Sequence, residues 1–254
     1  MPKFFVKSNQ IKDSQITILG EDVNHISKVL RMRNGEELQI CNCETGENYN
    51  AIIENSLKDK IECLIKEKIE TTHESNVKIT VFQGLPKFDK MELIIQKNVE
   101  IGVCKIIPVI MERTVVKLDE KDKAKKVERW QKIAEMAAKQ SERDIIPKIE
   151  NIIKFSEILN RIESYDEVLV AYENEKENML KNELNKLKNA NTNQEYNIAI
   201  LIGPEGGISQ KEIEELKQKG AKPISLGNRI LRTETASIVM NSNIMYELEQ
   251  KSRF

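Results

Sequence analysis

The sequence predicts an α/β protein in two domains: a small β-barrel domain over residues 1–72, then a larger domain over residues 73–254 built on a mainly parallel sheet. Three observations carry this. Before residue 72, short runs rich in β-formers are separated by turn signals and interrupted by a single helical stretch. From Asn76 onward, apolar runs alternate with amphipathic helical segments, as they do when helices cover both faces of a parallel sheet. Twice between Asn197 and Ala236, an apolar run ends at a glycine-bearing loop and a helix follows. In open α/β sheets that arrangement puts both loops at the carboxyl edge, where ligands bind.

In the first domain, residues 4–6, 16–19, 38–41, 50–53 and 61–65 read as strands, with Asn34-Gly35 and Thr45-Gly46 among the turn signals. One helix interrupts them, with Asp22 as its cap and Val23, Ile26, Val29 and Leu30 as its apolar stripe. His25, Lys28, Arg31 and Arg33 fall outside the stripe. They form a cationic cluster in an otherwise acidic stretch, either a solvated helix face or a patch that contacts phosphates, and the second reading is favoured.

Net charge announces no polyanion partner, because 40 lysines and arginines almost cancel 41 acids in 254 residues. Any nucleic-acid surface must therefore be local. No cationic leader with an apolar core precedes the first strand, and no apolar run approaches the roughly 18 residues of a membrane helix. A soluble, cytoplasmic protein without a membrane partner is expected. Cys41, Cys43, Cys63 and Cys104 are too scattered for a disulfide framework. Reduced, partly buried thiols are favoured over a zinc site built on the Cys41/Cys43 pair.

In the second domain, strands are expected at 77–82, 106–110 and 167–171, and helices at 90–101, 123–141 (around the single tryptophan, Trp130) and 178–187. Residues 189–195 read as a polar linker. A buried strand at 197–202 contains Leu201, and the chain then breaks at Gly203, Pro204, Glu205, Gly206 and Gly207. Pro204 fixes φ, while the glycines permit positive φ and let a ligand approach the backbone. Ser209 and Glu212 form a capping box, Ile208 can staple against Ile213, and the helix ends at Gly220. A short strand at 224–226 leads to Gly227 and a second loop that places Arg229, Arg232 and Glu234 where turning alone needs none of them. Neither GxGxxG nor the Walker pattern is present, so the familiar nucleotide loops do not apply.

The motif LIGPEGG followed by LGNRILRTETA resembles the C-terminal signature of the RsmE-type 16S ribosomal RNA uridine N3 methyltransferases, of the SPOUT (trefoil-knotted) superfamily. HISKVLRMRNGEEL, QGLPKFDKMELIIQKNVEIGV and RWQKIAEMAAKQSERDIIPKI match too, so the resemblance spans nearly the whole chain. It implies a PUA-like RNA-binding domain at residues 1–72 and a knotted methyltransferase domain at 73–254. It further implies S-adenosylmethionine as cofactor, 16S rRNA in the 30S subunit as substrate and an obligate homodimer; no metal is expected. General rules on chain crossings predict no knot; the expectation of one rests on the resemblance alone.

By the same resemblance the cofactor is held by Leu201, Gly203, Pro204, Glu205, Gly206 and Gly207 in the first loop. Leu226, Gly227, Ile230 and Leu231 hold it in the second. Arg232 and Glu234 are candidate catalytic residues, since N3 must lose a proton before it can act as a nucleophile; for Glu234 a loop-shaping salt bridge is an equal alternative. His25, Lys28, Arg31 and Arg33 are implied to bind RNA, with Lys139 and Arg143 steadying the nucleotide. One departure is that Pro2 and Lys3 stand where the family commonly has arginine, which reduces a bidentate phosphate contact to a point charge.

In the last helix, 235–251, Ala236, Val239, Met240, Ile244 and Leu248 cover one side, and Ile238 and Met245 widen the apolar arc. Either the helix is buried within the monomer or it packs against a second copy, and the homodimer is favoured. Two other function classes remain: a knotted methyltransferase acting on tRNA or a ribose 2′-hydroxyl, and a non-catalytic RNA-binding protein, which would have no use for paired glycine loops.

Overall fold

The protein is described by a computed structural model covering residues 1–69, 74–190 and 195–249, and the described chain divides into two units. The first comprises residues up to 74 together with 138–146; the second comprises 75–137 and the described residues from 147 onward. The expected boundary at residue 72, most of the expected linker at 189–195 and the end of the last helix at 251 lie outside the described residues.

The first unit is a curled half-barrel of strands β1 (Lys3–Val6), β2 (Ile11–Lys12), β3 (Gln15–Leu19), β4 (Glu37–Asn42), β5 (Asn48–Ser56) and β6 (Lys60–Ile69). Their order is β1-β4-β5-β6-β3-β2, with β1 and β4 parallel and the other pairs antiparallel. Period-2 alternation builds the core: in β3, Ile16 and Ile18 are buried while Gln15 and Leu19 face out. Two register shifts between β5 and β6 bend the sheet around that core, as bulges do.

The helix between β3 and β4 departs from expectation. Helix α1 (Glu21–Asn24) starts at Gly20 with no side-chain cap; Asp22 instead pairs with Lys139 at 3.0 Å. The helix then continues over His25–Val29 as a π turn, with the Leu30 amide donating to the His25 carbonyl at 2.9 Å. A π turn advances fewer degrees per residue than an α turn. Val29 and Leu30 thus rotate off the face that Val23 and Ile26 bury, and stand 67% and 40% exposed.

Residues 138–146 complete this unit through buried charges. The Lys3 ammonium pairs with Asp144, and Arg143 forks onto Glu74, whose Oε1 also accepts the amides of Asp144 (2.9 Å) and Ile145 (3.1 Å). Lys3 is thereby spent on a buried partner, so the point-charge phosphate contact expected of it is not available. Pairing is what makes such burial tolerable; removing one partner would strand the other. The Cys41 thiol donates to the Asp144 carbonyl at 2.8 Å. Burial pushes Cys41 and Cys63 up to about 12, which keeps both as neutral thiols rather than metal ligands.

The second unit is an entirely parallel sheet of β7 (Val77–Gly84), β8 (Lys105–Ile110), β9 (Lys148–Ile149), β10 (Ile153–Lys154), β11 (Glu167–Ala171), β12 (Tyr196–Ile202) and β13 (Lys222–Ile224). The order is β10-β8-β7-β12-β11-β13, with β9 also on β8. The connections are α2 (Lys90–Ile101), α3 (Glu120–Gln140), α4 (Phe155–Leu159), α5 (Leu180–Ala190) and α6 (Gln210–Gln218), and α7 (Thr233–Leu248) ends the unit. β12 and β11 carry continuous apolar runs, and β7 is buried at every position from Ile79 onward, because both faces are covered. The two-residue strands β9 and β10 carry too little pattern to be read in advance, and β13 lies two residues earlier than expected. Gln83 pairs with Ile202, Ile202 with Ala171, and Ala171 with Ile224, so four strands end level at one carboxyl edge.

The wide apolar arc of α7 is accounted for inside the chain. Met240, Ile244, Met245 and Leu248 are all buried, with α2, β7, β12 and α5 packed against the helix. A Cβ on Gly102, at the end of α2, would lie 2.8 Å from Met245 Cε. Among the described residues no helix is long and apolar enough to cross a membrane.

Candidate active site

The loops after β7, β11, β12 and β13 surround a cavity of about 510 Å³ at that carboxyl edge. The first glycine loop is folded so tightly that its side-chain-free positions are required. Gly207 sits at φ +71°, and a Cβ there would lie 2.5 Å from Glu173 Oε1 at the end of β11. A Cβ on Gly203 would lie 2.9 Å from Ile208 Cγ1, and one on Gly206 the same distance from Arg113 Cβ. The Gly207 amide closes the turn onto the Pro204 carbonyl at 2.9 Å.

The helix that follows is started by the expected capping box: Ser209 Oγ accepts the Glu212 amide at 3.3 Å and the Glu212 carboxylate accepts the Ser209 amide at 3.0 Å. Ile208 and Ile213 are buried in one core cluster, as a staple requires. The second loop opens at Gly227, φ +119°, where nothing crowds a Cβ and the backbone conformation alone favours glycine. Thr233 then ties the loops together, donating to the Gly203 carbonyl at 2.7 Å while accepting from Gln83 Nε2 at 2.9 Å.

Charge at the rim is organised by Lys90, the first residue of α2. Its ammonium lies 3.0 Å from Glu205 and 3.4 Å from Glu234, one carboxylate beside each loop. The Lys87 amide also donates to Glu205 at 3.0 Å. Burial pushes the Glu205 carboxyl up, but backbone amides and the Lys90 ammonium outweigh it and hold the group below the usual carboxylate range. The hydrogen bond to Glu205, opposed by desolvation, holds Lys90 above its ordinary value. Glu234 Oε2 is buried and has no hydrogen-bond partner; its separation from Lys90 is that of an ion pair.

Gly203, Pro204, Glu205, Gly206 and Gly207 line the cavity, and so do Leu226, Gly227, Ile230, Leu231 and Arg232. Leu201 does not; it is buried within β12. Glu234 reaches the cavity only through Lys90. Tyr172, Glu173, Asn228 and Thr233 also line it and are not singled out by the sequence, although AYEN directly follows the apolar run of β11 at the same edge.

In the first unit His25, Lys28, Arg31 and Arg33 are all exposed, with His25 edge-on to Phe4 and Arg31 at φ +55°. Lys139 is engaged by Asp22, and Arg143, 5% exposed, by Glu74. The contacts of these two are those of salt bridges that shape the segment, not of free cations awaiting a nucleotide. Among the described residues no cluster of histidine, cysteine and carboxylates able to hold a metal is found.

A family model described as an RNA methyltransferase domain matches residues 73–245, and one described as an RNA methyltransferase PUA domain matches residues 18–66. The ribosomal RNA small subunit methyltransferase E of Bacillus subtilis is 37% identical, with 98% of each chain covered. Its counterpart in Mesomycoplasma hyopneumoniae is 34% identical over 94% of this chain and 97% of its own. Among solved structures, the ribosomal RNA small subunit methyltransferase E of Neisseria gonorrhoeae bound to S-adenosyl methionine superposes with a TM-score of 0.82. It is 30% identical, with 98% of both chains covered. A methyltransferase from Legionella pneumophila with the same cofactor bound gives 0.80 at 30% identity, with 96% of each chain covered. The chain belongs to the PUA-bearing RNA methyltransferases, in the family of the ribosomal RNA small subunit methyltransferases E.

Proposed function

We propose that this protein methylates N3 of a uridine in 16S ribosomal RNA of the small subunit, using S-adenosylmethionine. The observation that carries the reading is the pair of glycine loops hydrogen-bonded through Thr233 around one cavity. The residues fit the cofactor. The loop packs too tightly for side chains at Gly203, Gly206 and Gly207, so backbone forms the cavity wall at these positions, and Glu173 brings a carboxylate that complements a cation. When bound, S-adenosylmethionine supplies a methyl group already activated on a sulfonium.

The chain's own task is to hold the acceptor in line, exclude water and manage one proton. The uridine N3–H must be lost before nitrogen can attack. Glu234, whose buried Oε2 has no hydrogen-bond partner and lies at ion-pair distance from Lys90, is the group we assign to accept that proton, and Arg232 at the cavity wall is assigned to stabilise the negative charge that develops on the base. Because N3 lies on the pairing edge, the target must be unpaired when it reacts. The exposed cations His25, Lys28, Arg31 and Arg33 are assigned to phosphates of the same RNA.

The setting we infer is a cytoplasmic homodimer of knotted second domains. Tyr246 stands 88% exposed on α7, with half-buried Val239 two turns earlier on the same side, and offers an aromatic contact to a second copy. Mass-spectrometric mapping of modified nucleotides in 16S rRNA, with and without the protein, tests the whole reading. Loss of one 3-methyluridine is expected on deletion; loss of a ribose methyl, or of a tRNA modification alone, would overturn it.

A further inference from the structure

Between β7 and α2 the chain holds an aromatic side chain out in solvent at a position that backbone energetics reserve for glycine. Phe88 is 86% exposed and sits at φ +55°, in the left-handed region that bulky residues avoid. Such strain persists only where the surroundings over-determine the conformation, and it clusters at functional sites. The surroundings here do so. Leu85, with its amide bonded to the Val109 carbonyl at 2.9 Å, and Pro86 are buried on one side. The Lys87 amide and the Lys90 ammonium then grip the same carboxylate, Glu205, from either side of Phe88. Glu205 lines the cavity; Phe88 does not. An exposed ring is thus fixed at the rim of the proposed reaction site, flanked by lysines.

We propose that Phe88 is a stacking platform for an unpaired base of the substrate RNA that flanks the one entering the cavity. The inference rests on the RNA methylation proposed above and names how that same site takes its substrate. A base drawn out of a helix loses its stacking neighbours, and so do the bases beside it. An aromatic face restores that contact without regard to base identity, and adjacent cations follow the phosphates. Placement outside the cavity wall makes the flanking base, not the target, the partner. The contact therefore serves substrate affinity more than the chemical step.

The strain supplies a clean test, since removing the ring also relieves the backbone. Phe88→Gly, Phe88→Trp and the native protein are compared in methyl transfer to 30S particles, with S-adenosylmethionine affinity by calorimetry and melting temperature alongside. In Phe88→Gly the melting temperature is expected to rise by about 2–4 °C. The apparent KM for 30S particles rises roughly 5- to 100-fold, the effect of removing one stacked base. Affinity for S-adenosylmethionine stays at the native value, and Phe88→Trp keeps the native KM. An unchanged KM in Phe88→Gly overturns the stacking role. A raised KM accompanied by dissociation to half mass in light scattering overturns it too, in favour of a contact between protein copies. If the native protein transfers no methyl group to 30S particles, the proposed function itself fails, and this inference with it.

Discussion

Thr233 Oγ lies 2.7 Å from the carbonyl oxygen of Gly203, a bond that joins the start of α7 to the first glycine loop across 30 residues of chain. The same hydroxyl accepts from Gln83 at the end of β7, so one side chain ties the ends of β7 and β12 to the start of α7. Thr233→Val keeps the shape and removes the hydroxyl. It takes this donor from the buried Gly203 carbonyl and leaves Gln83 Nε2 with only its bond to the Gly84 carbonyl, and stability is expected to fall by about 1–3 kcal/mol. S-adenosylmethionine affinity should weaken with it, while Thr233→Ser retains both. Denaturant melts and calorimetry on the two variants decide this.

Gly207→Val should abolish cofactor binding in a protein that still folds. The obstacle is twofold: φ of +71° disfavours any Cβ by about 1–2 kcal/mol, and the added atom would press on the Glu173 carboxylate 2.5 Å away. Native affinity by calorimetry in this variant would remove the first loop from the cofactor site.

Lys90→Met tests the charge bridge through its pH signature. Glu205 has a depressed folded pKa, so its contribution to stability is complete above the unfolded carboxyl value of 4.5 and is lost as pH falls through the folded value. Lys90 is the mirror case: its contribution is complete below 10.5 and is lost as pH rises through the raised folded value. Without Lys90, stability should fall less steeply on acidification below pH 4.5, and the alkaline decline contributed by Lys90 should vanish. Melting temperatures from about pH 3 to about pH 11 span both carboxylate and lysine titrations and measure both limbs.

Changing Arg31 and Arg33 together to alanine should weaken RNA binding and flatten its salt dependence by roughly one counterion for each phosphate no longer neutralised. Cofactor affinity stays constant. Binding isotherms at several salt concentrations check the slope; an unaltered slope would mark the cluster as a solvated face.

The proposed dimer is better probed at Tyr246 than at Met245. Met245 is 4% exposed, so an aspartate there would damage the monomer's own core, whereas Tyr246 is 88% exposed. Tyr246→Asp should yield folded monomers by light scattering, and a dimer of unchanged mass would exclude this face.

The longer strands of both units are legible in the sequence because they either alternate, as β3 does, or are largely apolar, as β12 is, whereas two-residue β2, β9 and β10 are not. The two glycine loops are legible because glycine and proline act locally on φ. Lys90 and Glu173 are not. They reach the cavity from elements far away in sequence; Lys90 looks like surface charge, and Glu173 is marked only by its place just after the β11 run. The π turn after α1 is equally hidden: apolar spacing suited to an α-helix puts Val29 and Leu30 in a stripe that the wider turn rotates into solvent. The arc of α7 does mark buried surface, but sequence alone does not say that α2 and the sheet cover so much of it.

The level carboxyl ends of β7, β12, β11 and β13 carry a consequence for when the protein becomes active. The cavity wall takes its parts from Lys90 and from residues as late as Ala236, and the helix that Thr233 begins is the last in the described chain. No partial chain emerging from a ribosome possesses the site. Contacts of such long sequence separation form late and slowly, and during synthesis domains fold from the N-terminus onward. The half-barrel with its cationic face is therefore made first and the cavity last, so the face proposed to hold RNA exists on the nascent protein before the site proposed to modify it.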